Sequence, residues 1–342
     1  MIDKEWDDFV ENEKSSGILH DRQFIELLSK EWKCTPCHKV IDTNDGKMAV
    51  PAYIIDKSIF GKKITTQPFL YFPKLLGKID EQKAIQYLIS EAKKLGKNWA
   101  VEYKSENDFS IETKQKFGIK TINPYIYSTL FLENTYEEQT KKYQKQFSKD
   151  LRRNLRRIEQ ANIIIKHAET EEEVKQFYLM LCKSYKNKHK ILCQPENLFL
   201  NIFRELNEKV EFIIATKNKE VLAGIVAFKK KYHWDYSWGT SSLTKFRALS
   251  LNSLLIDSMI KEGISKKIKT VSFGASGYAD KSLLMHKKHW GCVEQPIYYH
   301  YWNIDPNFKF AESNYKNLRN IFQIIPLPIF KIISKKMIPR LI

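Results

Sequence analysis

Residues 210–238 read VEFIIATKNKEVLAGIVAFKKKYHWDYSW and decide the fold of the second half of the chain. Two apolar runs, 210–216 and 221–229, flank a polar Lys-Asn-Lys turn, which predicts a β-hairpin. A third extended run over 232–238, rich in aromatic residues, follows directly. We therefore expect three consecutive antiparallel strands in this stretch.

The segments on either side of this meander complete a regular order of helices and strands. Thr170, followed three residues later by Glu173, forms a capping box, which marks the start of a helix. Hydrophobic periodicity predicts the other elements: a strand over 162–167, helices over 171–185 and 195–207, a helix that ends near residue 263, a strand over 269–273, a helix over 282–289 and a last strand over 296–302. This order resembles that of an acetyltransferase-like (GNAT) domain.

The first half of the chain follows a reduced version of the same plan. An Asn-Asp-Gly turn at 44–46 separates extended runs over 32–41 and 47–55, which is a strong hairpin signal. A further extended segment near 63–72, a helix over 80–95 and a strand over 99–103 come next. Meander, helix and strand therefore recur, although no sequence repeat is visible.

Length and composition agree with two folded domains. The chain has 342 residues, of which 43% are hydrophobic, so it can bury two cores, and its few Gly and Pro argue against disordered or fibrous classes. We predict an α/β (α+β) fold of two tandem GNAT-like acyltransferase domains with mixed, largely antiparallel sheets. The expected domains are 1–135 and 136–303, and 304–342 is expected to be an extension that packs back on the first domain.

The N-terminus and the cysteines indicate a reducing compartment. Residues 1–10, MIDKEWDDFV, lack the basic start and apolar core of a secretory signal, and no run of about 20 apolar residues follows. Cys34-Thr-Pro-Cys37-His38 matches a haem-attachment or dithiol string, but no export signal or second Cys/His pair accompanies it. We expect a cytoplasmic protein, at most peripheral at the inner face of the membrane, with no metal and no permanently bound cofactor.

A net charge of +17, from 57 Lys and Arg against 40 Asp and Glu, favours polyanionic partners such as RNA, nucleotide pyrophosphates or an anionic membrane. The charge is densest over 141–158, KKYQKQFSKDLRRNLRRI, where the apolar spacing predicts a single docked helix with basic outer faces. Arg152 and Arg156 stand four residues apart, as do Arg153 and Arg157, and such rows of like charge cost stability unless an anion binds. We predict that Arg152, Arg153 and Arg156 bind phosphate, either in a tRNA backbone or in the pyrophosphate of a nucleotide-sugar acceptor. The alternative is a solvated basic face near the acidic residues of 169–172.

Motifs along nearly the whole chain resemble those of the FemAB family of peptidyltransferase-like proteins. They are, in order, Trp6-Asp7 with Phe9-Val10, Pro68-Phe69-Leu70, LRRNLRRIEQANI at 151–163, Ala223-Gly224, Tyr236 with Gly239-Thr240-Ser241, Phe273-Gly274, and HKKHWG at 286–291 followed by Tyr298-Tyr299. The resemblance implies a two-domain GNAT-like enzyme. The best known members of that family move an amino acid from aminoacyl-tRNA to a cell-wall precursor.

The resemblance implies that the chain moves an acyl or aminoacyl group onto an amine of a cell-envelope precursor. That acceptor would be an amino sugar, a peptidoglycan peptide or a lipid-linked saccharide. Acyl-CoA or aminoacyl-tRNA would be the co-substrate: the absence of a glycine-rich phosphate loop argues against the first, and the charge favours the second. The alternative is a non-catalytic GNAT-like module that binds RNA or an anionic membrane through the basic helix.

Acyl transfer to an amine needs a positioned carbonyl, donors for the oxyanion and a proton acceptor. The resemblance places Lys287 on a lysine that family members keep in a Phe-Lys-x-x-Phe-Gly pattern, with His286 and Trp290 at the aromatic positions. We predict that Lys287 neutralises a phosphate or stabilises the oxyanion. A solvated lysine on a short helix is the alternative, because Lys281 and Lys288 lie nearby.

In GNAT-like domains the donor pyrophosphate sits at the N-terminus of the helix that follows the central strands. Here that place is 244–252, TKFRALSLN. We predict that the donor is bound by Lys245, Arg247, Ser250 and Asn252. The alternative is an ordinary Ser-capped helix start.

Aromatic side chains crowd the third strand of the meander. One face of this strand could form an acceptor groove with Tyr236 and Trp238, and Asp235 or His233 could accept the proton. Packing in a sheet core is the commoner meaning of such a pattern. We retain Asp235 beside Lys287 as a catalytic candidate.

The tail over 321–342, IFQIIPLPIFKIISKKMIPRLI, mixes apolar residues with four basic ones. Such a segment could lie on an anionic membrane and bring the protein to a lipid-linked acceptor. The alternative is packing on the first domain, which its prolines favour because they interrupt a long amphipathic helix.

Overall fold

The computed structural model describes residues 4–68, 74–241, 246–305 and 321–341. The helices are α1 (Lys4–Asn12), α2 (Arg22–Trp32), α3 (Glu81–Leu95), α4 (Ile111–Phe117), α5 (Tyr136–Lys142), α6 (Lys145–Gln160), α7 (Glu171–Ser184), α8 (Glu196–Leu206), α9 (Leu251–Ser265), α10 (Lys281–His289) and α11 (Leu327–Leu341). The strands are β1 (Thr35–Pro36), β2 (Lys39–Thr43), β3 (Gly46–Val50), β4 (Tyr53–Ile55), β5 (Lys62–Thr65), β6 (Leu76–Gly77), β7 (Trp99–Ser105), β8 (Ile119–Phe131), β9 (Ile164–His167), β10 (Val210–Lys217), β11 (Glu220–Lys230), β12 (His233–Ser241), β13 (Thr270–Gly277) and β14 (Val293–Trp302). In these ranges no helix combines the length and apolar character needed to cross a membrane.

The second half follows the sequence prediction closely. Strands β10, β11 and β12 are the predicted meander, and α7 opens with the capping box of Thr170 and Glu173. Asn218 and Lys219, the two residues between β10 and β11, both have positive φ, 50° and 66°. Two such residues in succession give a turn whose twist matches that of the strands. The predicted hairpin is confirmed.

The prediction is wrong in three details. Trp32 does not begin a strand but ends α2, where it is fully buried, and Lys33 terminates the helix in the left-handed conformation. The single helix expected over 141–158 is broken, because Tyr143 is extended and Gln144 caps α6 by accepting a hydrogen bond from the Phe147 N–H. The long strand β8 has no counterpart in the prediction.

Eleven of the described strands form one mixed sheet in the order β1-β4-β5-β7-β14-β8-β13-β12-β11-β10-β9. Each half of the chain contributes an antiparallel pair, a helix, a strand parallel to the second of the pair, another helix and a final strand. In the first half these are β4, β5, α3, β7, α4 and β8, and in the second they are β11, β12, α9, β13, α10 and β14. The predicted class, α/β with two tandem GNAT-like halves, is confirmed.

The final strand of each half crosses into the other half. Strand β14 lies between β7 and β8, and β8 lies between β14 and β13. The sheet is therefore continuous through two exchanged strands. The domain boundaries at residues 135 and 303 stay predictions.

Helices cover both faces of the sheet. In the second half, α6 and α9 pack on one face around Leu254, Ile256 and Trp290, and α7 and α8 pack on the other around Phe177 and Phe199. Helix α11 contacts α2 and buries Phe330, and the Ile59 N–H donates to the Arg340 carbonyl at 2.9 Å.

Candidate active site

The two central strands of the second half separate partway along their length. β12 and β13 pair in parallel over 233–235 and 270–272. Beyond these residues β12 continues beside β11, whereas β13 continues beside β8. The divergence leaves an opening between the two strands next to Asp235 and Ser272, with backbone groups facing it that another molecule could pair with.

Both strands are irregular at this opening. Gly274 has φ +67°, and the register of β13 against β8 shifts between Ser272 and Ala275. The pairing of β12 with β11 is also irregular. Tyr236 of β12 pairs with Ala227 of β11, and Trp238 pairs with the adjacent Val226, so Ser237 is an extra, bulged residue in β12. Its Oγ is buried and has no hydrogen-bond partner within the described parts of the chain. Bulges of this kind re-aim side chains next to functional sites.

Lys287 reaches the opening from α10. Its side chain is 3% exposed, and Nζ donates a hydrogen bond to the Gly274 carbonyl at 2.8 Å. Burial lowers the pKa of Lys287 to about 8, while the neighbouring Cys292, Glu294 and Asp280 act in the opposite direction. Lys287 is therefore a buried lysine with a lowered pKa, and the alternative of a solvated lysine does not hold.

Asp235 is the last residue of β12 that pairs with β13, and its partner there is Ser272. Burial raises the pKa of Asp235 to about 7, against the effect of a hydrogen bond with Ser272. Ser272 Oγ donates to Tyr127 Oη at 2.5 Å and accepts from the Gly274 N–H at 3.1 Å. Asp235 and Lys287 are thus both anchored to residues 272–274 of β13.

The start of α9 has no side-chain cap. Ser250 precedes the helix with φ +49° and makes no capping hydrogen bond, so the Ser-capped alternative does not hold. Asn252 donates from Nδ2 to Tyr236 Oη at 3.5 Å, and its Oδ1 is buried without a partner among the described residues. An uncapped helix N-terminus is a favourable place for an anion. Of the other predicted donor residues, Lys245 lies outside the described residues, and only the backbone of Arg247 is described.

The predicted aromatic groove does not form, because the bulge at Ser237 turns Tyr236 and Trp238 to opposite faces of the sheet. Tyr236 packs near Phe273, with ring centroids 5.6 Å apart. Trp238 is 7% exposed and packs in the opposite core, 4.9 Å from Phe199 between ring centroids. Trp238 therefore packs in the sheet core, as the alternative interpretation has it. Tyr236 instead contacts Asn252 at the start of α9.

The His233 side chain links the two parallel strands β12 and β13. Its Nδ1 forms a 2.5 Å hydrogen bond with Thr270 Oγ1, across the parallel pairing of β12 and β13. Burial lowers the pKa of His233, which favours the neutral ring. Asp235 stays the predicted proton acceptor.

The arginines of α6 are exposed, and the helix lies beside both α9 and the turn at 247–249. Arg153 pairs with Asp150 at 2.8 Å. Within the described chain, Arg152, Arg156 and Arg157 have no ion-pair partner. The acidic residues expected to balance them pair elsewhere: Glu169 contacts Lys166, and Glu171 contacts Arg204. The basic face of α6 is therefore exposed to solvent beside residues 247–249, which belong to the predicted donor-binding segment 244–252.

The Cys34-Thr-Pro-Cys37-His38 string has no ligand geometry. Burial raises the pKa of both Cys34 and Cys37 to about 12, so their thiols stay protonated. His38 Nδ1 accepts a hydrogen bond from the Ala52 N–H at 2.7 Å. Across the described ranges, no group of three or more His, Cys, Asp or Glu side chains could hold a metal ion.

Sequence reasoning missed Ser272, Tyr127 and the bulged Ser237. Ser272 and Tyr127 come from different halves of the chain and meet only through the exchanged strand β8. The available signal was Gly274, whose positive φ a side chain would strain. It was noted within Phe273-Gly274 but was not connected to Lys287.

Residues 145–282 match the family model described as an acetyltransferase (GNAT) domain. No curated protein matches the chain. Among solved structures, the fold is similar to the crystal structure of FemX, with 14% identity, a TM-score of 0.67, and coverage of 93% of this chain and 98% of that one. It is also similar to L-PGS from Bacillus licheniformis, with 11% identity, a TM-score of 0.56, and coverage of 99% and 98%.

A third similar structure is the C-terminal domain of an Agrobacterium fabrum protein described as a lysylphosphatidylglycerol synthetase. It is 11% identical, with a TM-score of 0.55, and the match covers 91% of this chain and 96% of that one. At such low sequence identity, these structural matches show a shared fold and no more. Residues 145–282 therefore match a GNAT domain, and the chain as a whole shares the fold of the FemX structure.

Proposed function

We propose that this chain transfers an acyl or aminoacyl group to an amine of a cell-envelope precursor. The observation that carries the proposal is the buried Lys287, held by the Gly274 carbonyl where β12 and β13 separate. The opening offers a place for the donor carbonyl, and the uncapped start of α9 offers one for a donor phosphate. The fold shared with FemX and with a protein described as a lysylphosphatidylglycerol synthetase supports this class of reaction.

In this mechanism the acceptor nitrogen attacks the donor carbonyl carbon. The carbonyl oxygen gains negative charge, and the bond from carbon to the thioester sulfur or ester oxygen then breaks. Lys287 in its charged form stabilises the oxygen, and Asp235 as carboxylate takes the proton that the amine loses. The departing thiolate or alkoxide takes up a proton, and no covalent enzyme intermediate is required.

The donor is either an acyl-CoA or an aminoacyl-tRNA. Both carry phosphate that suits the start of α9, but only a nucleic acid backbone would also use a row of arginines. The position of α6 beside the turn at 247–249, with Arg152 and Arg156 exposed, favours aminoacyl-tRNA. The same basic face would serve the rival function, a non-catalytic module that binds RNA.

Filter binding separates these donors. The protein is mixed with charged tRNA or with acetyl-CoA at low and high salt, and compared with a variant in which Arg152, Arg153, Arg156 and Arg157 are Ala. The matched control replaces Lys97 and Lys120, two exposed lysines of the first half, by Ala. Because each phosphate contact contributes about one unit to the salt dependence, the arginine variant should bind tRNA more weakly and with a smaller salt slope.

The outcomes distinguish the hypotheses. Binding of charged tRNA that the arginine variant loses and the lysine control keeps supports aminoacyl transfer. Acetyl-CoA binding without tRNA affinity makes the donor a thioester and reassigns α6 to an acceptor phosphate. RNA binding by a protein that never consumes a donor contradicts the proposed function and supports the binding module.

A further inference from the structure

Helix α11 is anchored to the protein mainly by one face, and Pro339 is also buried in its last turn. Phe330, Ser334 and Ile338 are at most 5% exposed and face the body of the protein, where α11 contacts α2. Lys331 pairs with Glu196 of α8 at 2.8 Å. The prolines do not interrupt the helix, because Pro328 lies in its first turn and Pro339 in its last. The opposite face is available to another partner.

The segment that leads into α11 and the outward face of the helix are apolar. Ile324 is 83% exposed, Ile332 is 57% exposed, and Ile321 and Ile329 are each 49% exposed. Single exposed apolar residues are common in proteins, but four isoleucines grouped in one short segment mark an interaction surface.

The second half of the same face is basic. Ile329, Ile332, Lys336 and Arg340 follow one another at steps of three and four residues, so they share one side of the helix. Lys335, Lys336 and Arg340 are exposed, and none of them has an acidic partner within the described ranges. Residues 321–341 contain no Asp or Glu.

Loops at both ends of this segment also combine an exposed isoleucine with lysines. At one end the Ile59 N–H donates to the Arg340 carbonyl, and Ile59 is 51% exposed beside Lys57 and Lys62. At the other end Gln323 Nε2 donates to the Asn187 carbonyl at 2.8 Å. This contact brings the exposed Ile191, at 43%, and Lys188 close to the start of the segment.

We propose that this surface, the α11 face (Ile321, Ile324, Ile329, Ile332, Lys335 and Lys336), docks on an anionic membrane. Isoleucine side chains enter the boundary between headgroups and acyl chains, and the lysines contact lipid phosphates. Charge complementarity selects this partner, because every charged residue of 321–341 is basic in a chain of net charge +17. The inference goes beyond the proposed reaction and does not depend on which donor is used.

Co-sedimentation of the full chain with lipid vesicles tests the proposal. One set of vesicles contains phosphatidylcholine with phosphatidylglycerol, and the other contains phosphatidylcholine alone. The apolar variant is Ile324→Ser with Ile329→Ser and Ile332→Ser, and the charge variant is Lys335→Gln with Lys336→Gln. The matched control is Ile79→Ser with Ile111→Ser and Ile164→Ser, which replaces isoleucines that are 60%, 73% and 62% exposed on other elements.

The wild type and the control should bind the anionic vesicles and leave the neutral ones in solution. Each of the two face variants should bind the anionic vesicles at least about tenfold more weakly, with an unchanged thermal melt. Equal binding to both kinds of vesicle, no binding by the wild type, or equal binding by wild type and face variants would overturn the proposal. Vesicle binding is measured without substrate, so this result and a failure of the proposed reaction are distinguishable.

Discussion

Burial shifts the pKa values of two residues at the strand opening toward neutral pH. The pKa of Lys287 is lowered to about 8 and that of Asp235 is raised to about 7. Between these values both residues can carry charge, the lysine as ammonium and the aspartate as carboxylate. Groups that titrate near the working pH are the most effective in proton transfer.

The raised pKa of Asp235 makes stability depend on pH. The folded protein keeps a proton on Asp235 that the unfolded chain releases above its ordinary pKa of 3.8, so stability falls as pH rises from about 4 to about 7. Asp235→Asn should therefore raise the free energy of unfolding at pH 8, on the order of 1 kcal/mol, and give no gain at pH 4. Thermal melts at the two pH values measure this.

Asp21 provides the opposite control. Burial alone would raise the pKa of Asp21, but its contacts with Lys230 at 2.9 Å and Lys209 at 3.0 Å outweigh burial and lower it. Asp21→Asn should therefore destabilise the protein at pH 8. If Asp235→Asn behaved like Asp21→Asn, the raised pKa of Asp235 would be refuted.

At the scale of the element, the contact between β12 and α9 allows no side chain at Gly239. A Cβ there would lie 2.1 Å from Tyr236 Oη and 2.8 Å from Asn252 Oδ1. Gly239→Ala should displace the Tyr236 ring or the start of α9 and cost about 1–3 kcal/mol of stability. Chemical denaturation measures the change.

Gly17→Ala is the steric control for this substitution. Its Cβ would meet only Asp235 Oδ2, at 3.7 Å, which is an ordinary contact, and its φ of −108° suits any residue. An equal loss of stability in both variants, or none in Gly239→Ala, would contradict the close approach at β12.

How much of each element the sequence predicts depends on how local its causes are. The capping box at Thr170, the two-residue turn after β10 and the apolar stripe of α6 are set by neighbouring residues, and all are present. The bulge at Ser237 depends on pairing with β11, so alternation alone put Tyr236 and Trp238 on one face. The break at Tyr143 depends on contacts with Trp290, 5.0 Å away between ring centroids.

The sequence named four residues that line the candidate site, and their catalytic and donor-binding roles stay predictions. Lys287, Asp235, Ser250 and Asn252 all lie at the strand opening or at the start of α9. The sequence alone could not show that Lys287 is buried against Gly274, because that contact is a tertiary one between α10 and a bulge. Tyr127 escaped prediction for the same reason, since the order of strands in the sheet follows from the whole fold.

At the scale of the whole molecule, the exchange of β8 and β14 ties the two halves together. Strand β7 has no direct pairing with β8 in the described sheet, because β14 lies between them. A fragment of residues 1–135 would leave β8 without a partner on either side. We therefore expect this fragment to lack a cooperative melt, and the full chain to unfold in a single transition by calorimetry.

Reconstitution supplies the positive control for that expectation. Coexpression of 1–135 with 136–342 restores three pairings, those of β8 with β13, β8 with β14 and β7 with β14, so the two pieces should copurify and melt together. A cooperative melt of the isolated 1–135 fragment would show that the halves fold separately, despite the shared sheet.

The most direct test of the proposed acyl transfer is the rate of donor consumption that depends on an added amine. Acetyl-CoA and charged tRNA are each supplied with a panel of amino-sugar and peptidoglycan-peptide amines. The wild type is compared with Lys287→Ala, with Lys287→Met, which keeps the volume of the buried side chain, and with Lys281→Ala, an exposed lysine on the same helix.

Amine-dependent consumption should fall by about 10² or more in both Lys287 variants, because the developing oxyanion loses its charge partner. The melt of Lys287→Met should stay close to that of the wild type, and Lys281→Ala should keep the wild-type rate. An unchanged rate in the Lys287 variants, or no donor consumption by the wild type with any of these amines, would contradict acyl transfer at this site.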